Sequence, residues 1–320
     1  MLAKTSVLLA LMLFAGYSYD ELKAVFIMQG FAGFSLFSVF LLMALGLTII
    51  FGQMKVINMA HGEFLTIGAY TTVLLSQLTE GYAPKLMAFY FPVAVLAAFA
   101  VAFIVGWIAE LAIINRLYKR PLDTLLATWG LSMILQESFR QIFGARETSA
   151  VMPEWLMGSW VPSEGVDIPI NGMFLLSTSV VMTVVVYLMM YRSRWGLRVR
   201  ATVLNRDMAG AVGINTKKTD RMTFALGCGF AGIAGAAFTT IGSVSPSAGS
   251  LYIVDTFMVV VFGGAGSLIG TILAAFGIAQ SQSILEFFLD GVLAKVFVLC
   301  AVVIILMIRP QGLIASKIRK

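Results

Sequence analysis

The sequence predicts an all-α, polytopic membrane protein, and three observations carry that prediction. The first is composition: 59% of the 320 residues are hydrophobic, only 12% are charged and the mean hydropathy is +0.93, where soluble domains hold about 45–50% apolar and about 25% charged residues. The second is the grouping of apolar residues into long runs. A transmembrane helix takes roughly 20 such residues, so the chain has material for about eight to ten. The third is the placement of the basic residues, which fall in the connections between runs. The formal charge of +6 is therefore read as membrane topology, and no nucleic-acid partner is assigned.

Taken in order, residues 1–17 carry Lys4 and a short apolar core, which fits a first transmembrane helix or a signal peptide. Residues 18–320 then read as a single transmembrane domain. Val25 to Phe51 is a long span with Gly30, Gly33 and Gly46 inside it. The polar insertion GQMKVINMAHGEFLTIGAY, 52–70, is too short to be a domain and interrupts a helix near 52–68. A further run reaches Leu78, and Leu86 to Ile114 forms the next span, closed by Arg116, Lys119 and Arg120. Pro121 opens a helix to about Phe143, as proline tends to at a first turn. Residues 144–171 form an extended loop with Trp155 and Trp160, residues suited to a membrane interface. Gly172 to Tyr191 spans back, and the basic stretch 192–221 follows. Met222 to Ile241 is a glycine- and alanine-rich span, and Ser243 to Ser250 is a polar turn. Leu251 to Gly291 holds two segments broken at Phe262-Gly-Gly-Ala-Gly-Ser267, a discontinuity near 262–270, and Val292 to Ile308 is the last span.

One side of the membrane collects the N-terminus, Lys55, the Arg116 cluster, stretch 192–221 and the C-terminus. The other keeps only Lys23, Lys85, Arg140, Arg146 and Lys295 of the 22 Lys and Arg residues. This asymmetry makes the first side, and the C-terminus with it, cytoplasmic.

Three places stand out. Asn58, His61 and Glu63 lie together where charge is costly, and such residues usually face a bundle interior or a watery cavity. A discontinuous helix there would place binding groups, as in many transporters; the alternative is a solvated cytoplasmic turn. Gly263, Gly264 and Gly266, with Gly270, permit either a helix break lining a path or close helix packing. Ile50-Phe51-Gly52 and Val261-Phe262-Gly263 faintly echo one another, as an internal repeat would. In the basic stretch, Leu204 to Gly213 reads as a short amphipathic helix, with Ala201, Leu204, Met208 and Val212 at helical spacing. A helix with one apolar face outside the membrane suits a partner groove better than a bare linker. No Walker-type phosphate loop is present. His61 is the sole histidine, which leaves no multi-histidine metal site and little for a catalytic triad. Cys228 and Cys300 sit in apolar runs and read as small core residues. No catalytic residue, metal or cofactor is assigned.

VINMAHGEFLTIGAY at 56–70 resembles a segment of the inner-membrane permeases of ABC importers for branched-chain amino acids and urea. So do NRDMAGAVGIN at 205–215, FALGCGFAGIAGAA at 224–237, DTFMVVVFGGAGSLIGT at 255–271 and the closing RPQGL at 309–313. The resemblance implies a multi-pass bacterial inner-membrane subunit that is not itself an enzyme. Its implied partners are a second permease chain, cytoplasmic ATPase subunits and a periplasmic or surface solute-binding protein, in a lipid bilayer. It places Asn205, Arg206, Asp207, Met208, Ala209, Gly213, Ile214 and Asn215 in a coupling helix that docks on the ATPase. Asn58, His61, Gly62 and Glu63 would then lie by the translocation path, near Gly263, Gly264 and Gly266. LLATWGLSMILQ at 125–136 and VLAKVFVLCAVVIIL at 292–306 look more like the urea permeases, while loop 144–171 shows no urea-type pattern. Urea is the substrate expected on that basis, with a branched-chain amino acid as the alternative. A passive channel would give the amphipathic helix no task, and an intramembrane enzyme lacks clustered nucleophiles or ligands.

Overall fold

The structure, a computed structural model, describes residues 19–118, 120–163 and 166–314. The expectation for residues 1–17 lies outside them. Eleven helices follow in order: α1 Tyr19–Met54, α2 His61–Tyr82, α3 Tyr90–Leu117, α4 Pro121–Phe143, α5 Ile170–Tyr191, α6 Arg194–Leu204, α7 Arg206–Ala211, α8 Thr216–Phe238, α9 Ala248–Gly263, α10 Leu268–Phe288 and α11 Gly291–Ile308. The chain is thus a polytopic helical membrane protein. Six helices (α1, α3, α5, α8, α10 and α11) are long and apolar enough to cross a membrane. Helices α2 and α4 have the length but carry polar faces, and α9 is short. The expected count of eight to ten turns on these three. Loop 144–171, expected as an extended loop, contains a small antiparallel pair, β1 Ser159–Ser163 on β2 Val166–Pro169.

Helix α8 is the hub and packs on α1, α2 and α3. Lipid tails supply no hydrophobic force between helices, so close approach and dispersion must hold them. Glycine permits that approach. A Cβ at Gly235 would collide with the Leu65 carbonyl of α2, one at Gly68 with the Gly232 carbonyl of α8, and one at Gly46 with the Gly227 carbonyl. Cys228 is a free thiol buried in this hub, against Gly106 of α3; Cys300 is exposed on α11.

The stretch between α5 and α8 differs from its expectation. The helix expected from Leu204 to Gly213 is present as the shorter α7, and a separate helix, α6, precedes it, because Asn205 is extended (φ −154°, ψ 109°) and its side chain accepts from Met208 N–H to start α7. Capping the second helix interrupts the first. Gly213 at φ 85° turns the chain, and Asn215 caps α8 through Lys218 N–H.

Candidate functional site

Both expected helix breaks are present, and each is narrower than its stretch of sequence: residues 55–60 between α1 and α2, and 264–267 between α9 and α10. At the first, Lys55 takes φ 52° and stays exposed, while Val56, Asn58 and Ala60 are buried. The chain turns back into the bundle. His61 Nε2 meets the Met43 carbonyl at 3.2 Å, and Met43 lies eleven residues, about 16 Å of helix, before the end of α1. Helix α2 therefore begins deep inside the protein. Irregular backbone at such depth persists only when buried in protein or lining a cavity. Here it is tied down: Ala60 N–H donates to Asn58 Oδ1 at 3.1 Å, and Met59 N–H donates to Thr128 Oγ1 at 3.1 Å.

The Thr128 contact belongs to a polar stripe. Thr124, Thr128, Ser132 and Gln136 recur every four residues along α4, so they share one face. Ser132 Oγ and Gln136 Nε2 both donate to Glu63 Oε1, at 3.1 and 2.8 Å, and Gln136 Nε2 also reaches Ser250 Oγ at 3.1 Å. The period-four spacing was visible in the sequence but was not among the expected sites. Three atoms of the first break have no hydrogen-bond partner although they are buried: Asn58 Nδ2, His61 Nδ1 and Glu63 Oε2. Because His61 Nε2 faces a carbonyl, it carries the proton, and Nδ1 is left as a bare acceptor.

Helix α9 starts at the same place. A Cβ on Gly62 would collide with the Gly249 carbonyl, and Gly249 N–H donates to Thr66 Oγ1 at 2.9 Å. From this point the two helices run apart. Ser76 of α2 accepts from Val151 N–H at the loop side, while the end of α9 meets the C-terminal turn on the basic side. The positive ends of two helix dipoles thus converge inside the bundle.

The second break lies about 24 Å away, at the far end of the 16-residue α9. Gly263 and Gly264 are thus separated from Gly62 and Glu63 by the length of α9, whereas Gly266 packs on Gly52, six residues before Asn58. Gly264 and Gly266 sit at φ 97° and 82°. A Cβ on Gly264 would collide with the Ile314 carbonyl, one on Gly52 would lie 2.6 Å from Gly266 Cα, and one on Gly263 2.6 Å from the Gly270 carbonyl. The carbonyls freed at the end of α9 are taken up by the tail: Leu313 N–H donates to Phe262 O at 2.8 Å and Ile314 N–H to Gly263 O at 3.4 Å. The two Phe-Gly endings that echo in sequence also meet here, Gly52 of α1 against Gly266.

On the basic side, α7 presents Met208 and Asp207 to solvent, and with Leu204 and Val212 it leaves an apolar patch exposed by 61–73%. Ala209 is buried against the protein. Arg206 forms an ion pair with Asp220 of α8, whose side chain is 2% exposed, and lies 4.5 Å over the Tyr118 ring. Burial, with the Asp220 carboxylate adding to it, raises the Tyr118 phenol above its ordinary pKa. Asp220 Oδ1 also accepts from Gln53 Nε2 at 3.0 Å, and Thr223 Oγ1 donates to Gln53 Oε1. Four side chains thus tie α7 to α8 and to the end of α1, two residues before the first break. Beside them, Arg221 pairs with Glu110 at 2.7 Å, where α3 winds into a π-turn, Glu110–Ile114.

A profile of the family described as "Branched-chain amino acid transport system / permease component" matches residues 30–307. The chain is 27% identical over 307 residues to the "High-affinity branched-chain amino acid transport system permease protein LivH" of Escherichia coli (strain K12), covering 90% of this chain and 95% of that protein. It is 28% identical over 294 residues to the "Probable branched-chain amino acid transport permease protein LivH" of Methanocaldococcus jannaschii, covering 85% and 87%. It is 27% identical over 300 residues to the permease protein BraD of Pseudomonas aeruginosa, covering 88% and 93%. No solved structure matches.

Proposed function

The chain belongs to the permease-component family of branched-chain amino acid ABC transport systems, and from that premise we propose that it carries a branched-chain amino acid inward across the cell's inner membrane. The observation that carries this reading is the end-to-end similarity to permeases whose names specify branched-chain amino acids. Those names favour the amino acid over urea, which had rested on two short segments. The polar break at 55–60, with Asn58, His61, Gly62 and Glu63, is the part of the path that meets substrate. Gly263, Gly264 and Gly266 shape the bundle around it. The test is uptake of labelled leucine and labelled urea at low concentration, in cells with and without this chain. Leucine uptake is expected to disappear with the chain and urea uptake to persist. Loss of urea uptake alone would reverse the assignment.

The permease family implies a separate ATPase, a solute-binding protein and a second permease chain. The residues from Asn205 to Asn215 form the ATPase docking surface, with Met208 and Asp207 outermost and Asn205, Gly213 and Asn215 shaping the turns. Because Arg206 is ion-paired to Asp220 and Gln53 shares that carboxylate, a push on α7 reaches the end of α1 directly. Met208 is exposed, so Met208→Asp leaves the fold intact and is expected to abolish co-purification of the ATPase and substrate-stimulated ATP hydrolysis. Normal co-purification would remove α7 from the docking surface.

A further inference from the structure

Four acidic side chains are buried among the described residues, and three of them have a cation: Glu110 has Arg221, Asp220 has Arg206 and Asp255 has Lys295. Glu63, only 1% exposed, has none. One of its oxygens is held by Ser132 and Gln136, and the other is unpartnered, with the Thr66 hydroxyl flanking the carboxyl group. A buried carboxylate inside a membrane bundle is expensive and is ordinarily paired. The exception marks a place where a cation is supplied from elsewhere.

Glu63 sits in the first turn of α2, where the helix dipole favours a negative charge. It does not close a capping box, because the Ala60 N–H is already taken by Asn58 Oδ1. The N-terminus of α9 is present as well, at Gly249 and Ser250. Two helix ends carry about half a positive charge each. They favour a negative charge at Glu63, but they are spread dipoles and leave its second oxygen unpartnered. The locality therefore presents one unmet demand, a buried carboxylate oxygen with no cation, beside two converging positive helix ends whose field favours a second anionic group.

We infer that the meeting point of α2 and α9 is a subsite for the two charged groups of a zwitterionic α-amino acid, with Glu63 taking the ammonium group and the helix ends taking the carboxylate. This deepens the amino-acid reading above and rests on it. Half-helix termini inside a bundle are known devices for holding an anionic substrate group, and the orphaned carboxylate supplies the opposite charge. Urea has no ammonium group and would leave Glu63 unmet. The subsite accounts for the charged end of the substrate alone and is the same for leucine, isoleucine and valine.

The test uses the assembled importer. Leucine uptake is measured for the wild type, Glu63→Gln and Glu63→Asp, normalised to the permease present in the membrane. A charge-assisted hydrogen bond exchanged for a neutral one lowers uptake by about tenfold or more, so Glu63→Gln is expected to fall by that factor while Glu63→Asp retains most of the activity. Undiminished uptake by Glu63→Gln overturns the subsite while leaving the amino-acid reading standing. A wild type that imports no leucine overturns both. A second measurement needs no variant: the thermal shift of the wild-type permease–ATPase complex, without the solute-binding protein, with leucine, with 4-methylpentanoate, which lacks the ammonium group, and with 3-methylbutylamine, which lacks the carboxylate. Leucine alone is expected to stabilise, and an equal shift with either analogue overturns the assignment of both charges to this site.

Discussion

The two helix breaks look alike in sequence, since each follows an apolar run that ends in Phe-Gly, yet their interiors are opposite. At 264–267 the exposed ends of the backbone are answered by other backbone: Leu313 and Ile314 donate to Phe262 and Gly263, and Gly52 and Gly270 press against the glycines. At 55–60 the backbone is held by side chains (Asn58 and Thr128), and there and in the first turn of α2 three polar atoms remain without partners. A break closed by backbone alone is a packing device. A break that leaves buried polar atoms unmet carries a standing energetic cost, since each unsatisfied buried group costs about 1–3 kcal/mol. Such a cost persists where a passing ligand meets the demand.

The largest effect that separates the two is at the second break. Gly264→Leu puts a side chain at φ 97°, which costs about 1–2 kcal/mol for a residue with a Cβ, and drives it into the Ile314 carbonyl. The expected outcome is loss of the assembled permease from the membrane, read by immunoblot and by melting of the solubilised protein. Normal assembly with failed transport would make this break part of the path and dissolve the contrast.

Much of this was legible in the sequence. The spans, both breaks and the basic side follow from hydropathy and charge, because each is a local property of a run of residues. Pro121 and Phe143 bound α4 as expected. What the sequence hid is relational. Ser243 to Ser250 reads as a polar turn, and nothing in it says that Gly249 reaches Gly62 deep in the bundle. RPQGL is recognisable as a motif, but its task as donor to the end of α9 appears only when the tail folds back. The amphipathic spacing through Ala201, Leu204, Met208 and Val212 continues across Asn205, and so conceals the cap that splits α6 from α7. The α4 stripe was within reach, since four polar residues at period four need only counting. The partner that two of them share, Glu63, is 69 residues from Ser132 and 73 from Gln136, and that pairing is set by tertiary packing.

A smaller and sharper comparison uses one hydroxyl from each break. Thr128→Val keeps the shape and removes the acceptor for Met59 N–H. It leaves one half-buried donor unsatisfied, at a cost toward the lower end of about 1–3 kcal/mol. Ser267→Ala removes the cap that accepts from Gly270 N–H at 3.1 Å, and a lost cap costs about 1 kcal/mol. The two variants should therefore melt within a few degrees of each other and reach the membrane in similar amounts. Their transport should differ. Thr128 positions the segment that carries Asn58 and leads into His61 and Glu63, so its loss loosens the polar cluster and lowers leucine uptake severalfold. Ser267 positions only the start of α10, packed by glycine contacts on both sides, so uptake should stay near that of the wild type. If Ser267→Ala lowers uptake as much as Thr128→Val, the state of the buried polar atoms does not distinguish a path from a packing joint. Function would then have to be spread across both breaks, through the Gly52–Gly266 contact that joins them.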